Sequence, residues 1–246
     1  MFHSSALFSI YKRELLAYFY SPIAYVVLAI FSLSSSTTAI FLGRIFDSGE
    51  ASMNLFFIFQ PWLYLFLVPA VGMRLWAEER NSGSIEFLLT LPISIFDAVL
   101  AKFLAGWTFL TIALATTLPL LCTVIYLGKP DFGIIFTGYL GCILVAGAYL
   151  SISCFASAVT RNQVISFIIS FIFCFFLNIL SWGILSDLLN QILPSAVADW
   201  VSSFGTLFHF DPFRKGLIEF RGVVFFLILM LGALSLNVRL LEERRI

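Results

Sequence analysis

Groups able to do chemistry are few in this sequence. No Gly-x-x-x-x-Gly-Lys-Ser/Thr phosphate loop occurs in it, so nothing here is built to cradle a nucleoside triphosphate. Its two histidines are His3, near the start, and His209, in a late connection. Neither stands beside a nucleophile or paired acids at membrane depth, as an intramembrane hydrolase would require. His209 and Asp211 offer two metal ligands, too few for a site. Cys122, Cys142, Cys154 and Cys174 lie inside apolar runs with no Cys-x-x-Cys pair, and read as small buried hydrophobes. No catalytic residue and no metal site is expected. What the spacing supports is recognition. Residues 77–92 read Ala-Glu-Glu-Arg-Asn-Ser-Gly-Ser-Ile-Glu-Phe-Leu-Leu-Thr-Leu-Pro between two long apolar runs. The charges Glu78, Glu79 and Arg80 precede a turn-forming Asn81-Ser82-Gly83-Ser84. About two turns of helix follow, closed by Pro92. Ile85, Leu88 and Leu89 share one face, Phe87 and Leu91 another, and only Glu86 and Thr90 are polar. A short helix so apolar, outside a membrane, needs a partner to bury it, with the three charges orienting the contact.

The rest of the chain must hold that segment in place. Of 246 residues, 61% are hydrophobic and 11% charged, against about 25% charged in soluble domains. The mean hydropathy is +1.02. Such a chain cannot cover its own surface with polar groups, so its solvent is largely lipid. The formal net charge is zero, and nothing points to nucleic acid.

Six stretches approach the ~20 residues a bilayer needs: 22–42, 55–75, 99–126, 132–159, 164–182 and 223–240. Before them, residues 4–20 put Ser5, Ser9, Lys12 and Arg13 on one helical face and Leu7, Phe8, Tyr11, Leu15 and Tyr18 on the other. That predicts an amphipathic helix in the membrane plane, not a cleavable leader, ended by Ser21-Pro22. Six spans put both termini on one side. With that side cytoplasmic, the inner segments hold Lys12, Arg13, Arg74, Arg80, Lys102, Arg161, Arg239, Arg244 and Arg245. The outer ones hold Arg44, Lys129, Arg214, Lys215 and Arg221. The bias favours cytoplasmic termini in a cytoplasmic (inner) membrane.

Within the spans, Lys102 reads as a lysine snorkelling to the inner interface, and Asp97 as a cap or interface residue. Asn178 and Ser170 read as glue between helices. Gly138, Gly141 and Gly147, with Ala146 and Ala148, allow close backbone approach inside the chain or to a second copy. Residues 183–222 are more than a plain loop. Leu185, Leu188, Leu189, Ile192 and Leu193 keep helical spacing up to Pro194, and Val197, Trp200, Val201 and Phe204 resume it. Two short amphipathic helices meeting at Pro194 predict a re-entrant hairpin on the outer side. Leu189, Pro194 and Trp200 are its candidate gate residues.

The pattern Glu78-Glu79-Arg80-x-x-Gly83-Ser84-x-Glu86-x-Leu88-Leu89-Thr90-x-Pro92-Ile93 resembles the cytoplasmic loop after the second span of type-2 ATP-binding-cassette (ABC) exporter permeases. Ser84 stands where that family usually has Thr, and both can cap a helix. Residues 207–218, Leu-Phe-His-Phe-Asp-Pro-Phe-Arg-Lys-Gly-Leu-Ile, resemble the segment entering the last span in gliding-motility and nitrous-oxide-reductase-maturation permeases. The resemblance covers nearly the whole chain. It implies one transmembrane domain over residues 1–246, all-α, with an elbow helix, a coupling helix and an outer hairpin. It implies a second permease copy or paralogue as partner, and a separate ABC ATPase subunit that binds ATP and Mg and receives the 77–92 loop. This chain would then hold no cofactor and catalyse nothing. A non-transporting scaffold subunit of a secretion or motility complex would keep the spans but need no coupling helix. An ion-coupled transporter would place acids within its spans, which lack them.

Overall fold

The computed structural model describes residues 2–42, 53–84, 94–183, 185 and 195–243, and among these every regular element is helical. Helix α1 (Phe2–Tyr20) precedes α2 (Pro22–Thr37), which a π-helical turn at Thr38–Leu42 extends. α3 (Asn54–Gly72) and α4 (Arg74–Ser82) form one run of helix interrupted at Met73. α5 (Ile95–Ala115) and α6 (Leu118–Leu127) form another. Then come α7 (Phe132–Val159), α8 (Gln163–Ile179), α9 (Ser195–Ser202), α10 (Thr206–Arg214) and α11 (Phe220–Glu243).

Among the described residues, five helical runs are long and apolar enough to cross a membrane: Ala24–Phe41, Asn54–Ser82, Ile95–Leu127, Phe132–Val159 and Phe220–Glu243. The stretch expected at 164–182 forms the apolar α8, of 17 residues. The span at 132–159 has the bounds its sequence predicts. The Asp131 carboxylate accepts the Gly133 N–H at 2.7 Å and opens α7. The third stretch departs from its expected 99–126. Ser94, not Asp97, is its N-cap, accepting the Asp97 N–H at 3.0 Å. Asp97 lies in the first turn, where a carboxylate meets the positive end of the helix. The run then breaks at Thr116–Thr117. Pro119 has no N–H, and its ring crowds the carbonyl four residues back. The Thr116 and Thr117 hydroxyls donate to the carbonyls of Ala113 and Leu114, each at 2.7 Å.

α7 is the axis of the molecule: α3, α4, α5, α8, α10 and α11 all pack on it. Its glycines make that possible. A Cβ at Gly138 would lie 2.4 Å from the Phe57 ring, one at Gly141 2.8 Å from Phe213, and one at Gly147 2.6 Å from Met230. Close approach therefore serves contacts inside the chain. Asn178 binds helices together as expected: Tyr149 donates to its Oδ1 at 2.6 Å, and its Nδ2 donates to the Pro61 carbonyl at 3.2 Å. Ser170 does not; its hydroxyl donates back to Ser166 of its own helix at 2.8 Å.

Helices α3 and α7 also approach closely. A Cβ on Gly72 would sit 2.3 Å from the Ser153 Cβ, and neither atom can rotate away. Gly72→Ala is expected to push the helices apart and destabilise the fold by about 1–3 kcal/mol. Thermal unfolding of the detergent-solubilised protein measures this, and an unchanged transition would show that the two helices are not closely keyed.

Residues 207–218 do not simply lead into the last span. Thr206–Arg214 is a separate helix, buried on α7, with Thr137 donating to the Phe213 carbonyl at 2.7 Å. Gly216 (φ 89°) reverses the chain before α11 begins, a conformation that glycine adopts without Cβ strain. His209 is therefore a helix residue and not a loop residue. It is buried, its Nε2 lies 2.8 Å from the Ser203 carbonyl, and its ring stacks on Phe225. Burial lowers its pKa.

Candidate functional site

The 77–92 segment hangs from the α3–α4 run. The second span does not end near residue 75 in a turn. Asn81 and Ser82 are its last helical residues, and the turn comes at Gly83 (φ 74°), a left-handed C-cap. Glycine suits that position because it has no Cβ to clash. The Ser84 hydroxyl reaches back toward the Glu79 carbonyl (3.4 Å) and lies 2.9 Å from the Ser82 hydroxyl. Ile85, Glu86, Leu88, Leu89 and Pro92 lie outside the described residues.

α4 is fastened to the body of the protein at four places. At its start, the Ser157 hydroxyl of α7 inserts into the backbone of the run. It donates to the Met73 carbonyl at 2.9 Å and accepts the N–H groups of Trp76 and Ala77 at 3.0 and 2.9 Å. A side chain inserted into the i→i−4 ladder is a sufficient cause of the interruption at Met73. Next, Trp76 is fully buried, and its indole donates to Cys154 Sγ at 3.3 Å. Asn237 of α11 donates to the same sulfur at 3.0 Å.

The third fastening is ionic. Lys102 of α5 is only 1% exposed. It does not snorkel to the interface. Its Nζ donates to Glu79 Oε1 at 2.8 Å and to Glu14 Oε1 of α1 at 3.2 Å, and lies 5.0 Å from the centre of the Trp76 ring. A lysine buried this deeply must be paired, because an isolated ammonium would be neutralised by desolvation. Arg13 adds a bond to Glu14 at 2.7 Å and approaches Glu79 at 3.8 Å. Burial acts to raise the Glu14 pKa, but Lys102 and Arg13 overcome it and hold the carboxyl below its usual value. Bonding to Glu14 raises the pKa of Arg13.

The fourth fastening is Arg80. Its Nη1 donates to the carbonyls of Ala158 and Thr160, at 2.5 and 3.3 Å. These carbonyls close α7, whose last turn has no helical donors and carries the negative end of the dipole. Glu78 pairs with Arg74 one turn back at 3.0 Å. The three charges of the segment are thus engaged within the chain.

α1 packs along α5, but its faces differ from the simple amphipathic reading. Ser9, Lys12 and Arg13 are exposed as expected, whereas Phe8, placed on the apolar face, is 62% exposed. Glu14 is the residue that sequence reasoning missed. It falls at helical spacing among Leu7, Tyr11 and Tyr18, so an acid within an apolar stripe was the available signal. Its complement was Lys102 inside a span.

Of the expected gate residues, Leu189 and Pro194 lie outside the described residues. α9 follows them, and its Trp200 is 66% exposed, stacked edge-on against Phe204. A charge placed at Trp200 would not be buried within this chain. Among the described residues, no group of His, Cys, Asp or Glu could hold a metal ion, and the four cysteines are free, with Cys122 exposed.

A family model described as ABC-2 family transporter protein matches residues 19–215. The chain belongs to the ABC-2 transporter family. The match runs from the end of α1 past the end of α10, and so includes α4, Lys102 and the α7 terminus. No curated protein matches the sequence. As an ABC-2 transporter protein with several apolar helices long enough to span, the chain is a transmembrane component of a transporter, a permease.

Proposed function

We propose that the chain is the permease subunit of an ATP-driven exporter in the cytoplasmic membrane. It would work as a pair of permease copies with a separate ATPase that binds ATP and Mg. In this reading α8 is the sixth span, both termini are cytoplasmic, α1 is the elbow helix, and residues 183–222 form an outer hairpin near the exit. Residues 85–92 form the coupling helix seated in a groove of the ATPase, with Leu88 and Leu89 as its apolar contacts.

The observation that carries this reading is the fastening of α4. A docking element can move spans only if it is rigidly joined to them. The helix that carries residues 83–92 follows α3 directly across Met73 and is tied to α1 and α5 through Glu79–Lys102–Glu14, and to α7 through Ser157 and Arg80. A displacement of the docked segment, when the ATPase closes on ATP, would reach four helices as one body. The ATPase would have to bind the two states of the permease unequally for work to be done.

Leu88→Asp tests it. A carboxylate in an apolar groove costs more than an unbonded neutral polar group, for which transfer scales give about 2–7 kcal/mol. The variant is expected to insert normally and lose the ATPase on co-purification. Undiminished co-purification would remove the coupling-helix assignment and favour the scaffold reading.

A further inference from the structure

The start of α3, at the end of the run opposite α4, borders a cleft of about 620 Å³. Two of its walls differ in chemistry. On one, Trp62 and Trp182 meet edge to face, ring centres 5.5 Å apart. On the other, Arg214 donates to Asp211 Oδ1 at 2.6 Å and to Asn54 Oδ1 at 2.7 Å, and Lys215 pairs with the other Asp211 oxygen. A single carboxylate thus serves two cations, which leaves positive charge unmatched on that wall. Glu219 also lines the cleft, exposed and without an ion pair among the described residues. Among the described residues the lining thus carries two cations, Arg214 and Lys215, and two acids, Asp211 and Glu219, with Arg221 over the Phe208 ring beside them. Ser181 lies at the margin with a buried hydroxyl that has no hydrogen-bond partner among the described residues.

We propose that this cleft binds an amphiphile with a zwitterionic phosphate headgroup, drawn from the leaflet at that end of the bundle. Arg214 and Lys215 supply donors for the phosphate. The tryptophan pair and Glu219 supply the electron-rich faces and the carboxylate that hold an ammonium group. Ile58, Leu207 and Leu217 continue the apolar lining for the start of the chains. The carboxylates of Asp211 and Glu219 on the lining disfavour a purely anionic headgroup, and tryptophans at the rim of apolar spans suit the depth of headgroups. The site depends on neither the ATPase partner nor the docking loop.

Native mass spectrometry of the full chain from micelles holding equimolar phosphatidylethanolamine and phosphatidylglycerol tests this. The wild type is expected to retain phosphatidylethanolamine with a preference on the order of tenfold. Glu219→Lys adds a cation where the ammonium would sit and should turn the preference toward phosphatidylglycerol. Residue 219 is exposed and outside the helices, so this substitution leaves the packing intact. Trp182→Ala should lower retention of phosphatidylethanolamine. Free phosphoethanolamine should compete poorly, because it lacks the chains. Equal retention of both lipids by the wild type, no change in Glu219→Lys, or competition by free phosphoethanolamine as strong as by the lipid would each overturn the proposal.

Discussion

Lys102→Met is expected to leave the protein inserted but to loosen α1 and α4 from the bundle. The substitution keeps the stem volume and removes the charge, so Glu14 and Glu79 face each other in a largely buried space with only the exposed Arg13 beside them. Removing one partner from a buried ion network costs about 3–5 kcal/mol. Thermal unfolding should show it, and protease should reach α1 more readily. The pH dependence has a definite sign. The Glu14 pKa is depressed in the folded protein, so its contribution is complete above the unfolded carboxylate value of about 4.3. It is lost as pH falls through the lower folded value. Glu14→Gln should remove that part of the acid-side decline. A triple variant, Glu14→Gln with Lys102→Met and Glu79→Gln, leaves no buried charge, only the exposed Arg13 without its acidic partners, and should regain stability. If the network transmits the motion of the ATPase, transport per ATP should stay low in the triple variant despite its recovered stability. Full recovery of both would reduce the network to a structural role. An unchanged unfolding transition in Lys102→Met would show that the pairing contributes nothing.

Ser157→Val is expected to have the second large effect. One hydroxyl serves three backbone groups: the part-buried Met73 carbonyl and the buried N–H groups of Trp76 and Ala77. Valine makes none of the bonds and adds one methyl group at a fully buried site, the same addition that Ser157→Thr makes. Orphaned buried polar groups cost about 1–3 kcal/mol each, and the total falls if α4 straightens and closes part of its own ladder. A net loss of about 2–4 kcal/mol is expected, with a lower ratio of transport to ATP hydrolysis because the arm no longer leaves α3 at its native angle. Ser157→Thr keeps the hydroxyl and should retain most of both properties. Stability and coupling in Ser157→Val equal to the wild type would mean that the ladder closes unaided and that Ser157 is dispensable.

Composition and period alone settled that this chain is helical and lipid-solvated, because 61% hydrophobic residues and runs of about 20 apolar ones leave few other solutions. The bounds of α7 were legible because Asp131 and Thr160 are local stop signals flanking an unbroken apolar run. The special character of residues 77–92 was legible too, since charges and a glycine turn between apolar runs stand out without any neighbour. The roles of the charges were not. Glu79, Arg80, Lys102 and Glu14 each look like interface residues when read along the chain, because a sequence shows charge without showing burial. Only packing places Lys102 at 1% exposure between two acids from different helices, and only the position of α4 brings Arg80 to the carbonyl end of α7. The same holds for the glycines of α7 and for Ser157, whose partners lie on other helices, far away along the chain. Local sequence determines where a helix begins and how apolar it is. Which face it buries, and which ions must then be paired, is decided when the helices meet and water leaves, since only then does an unpaired charge or backbone group carry its full cost.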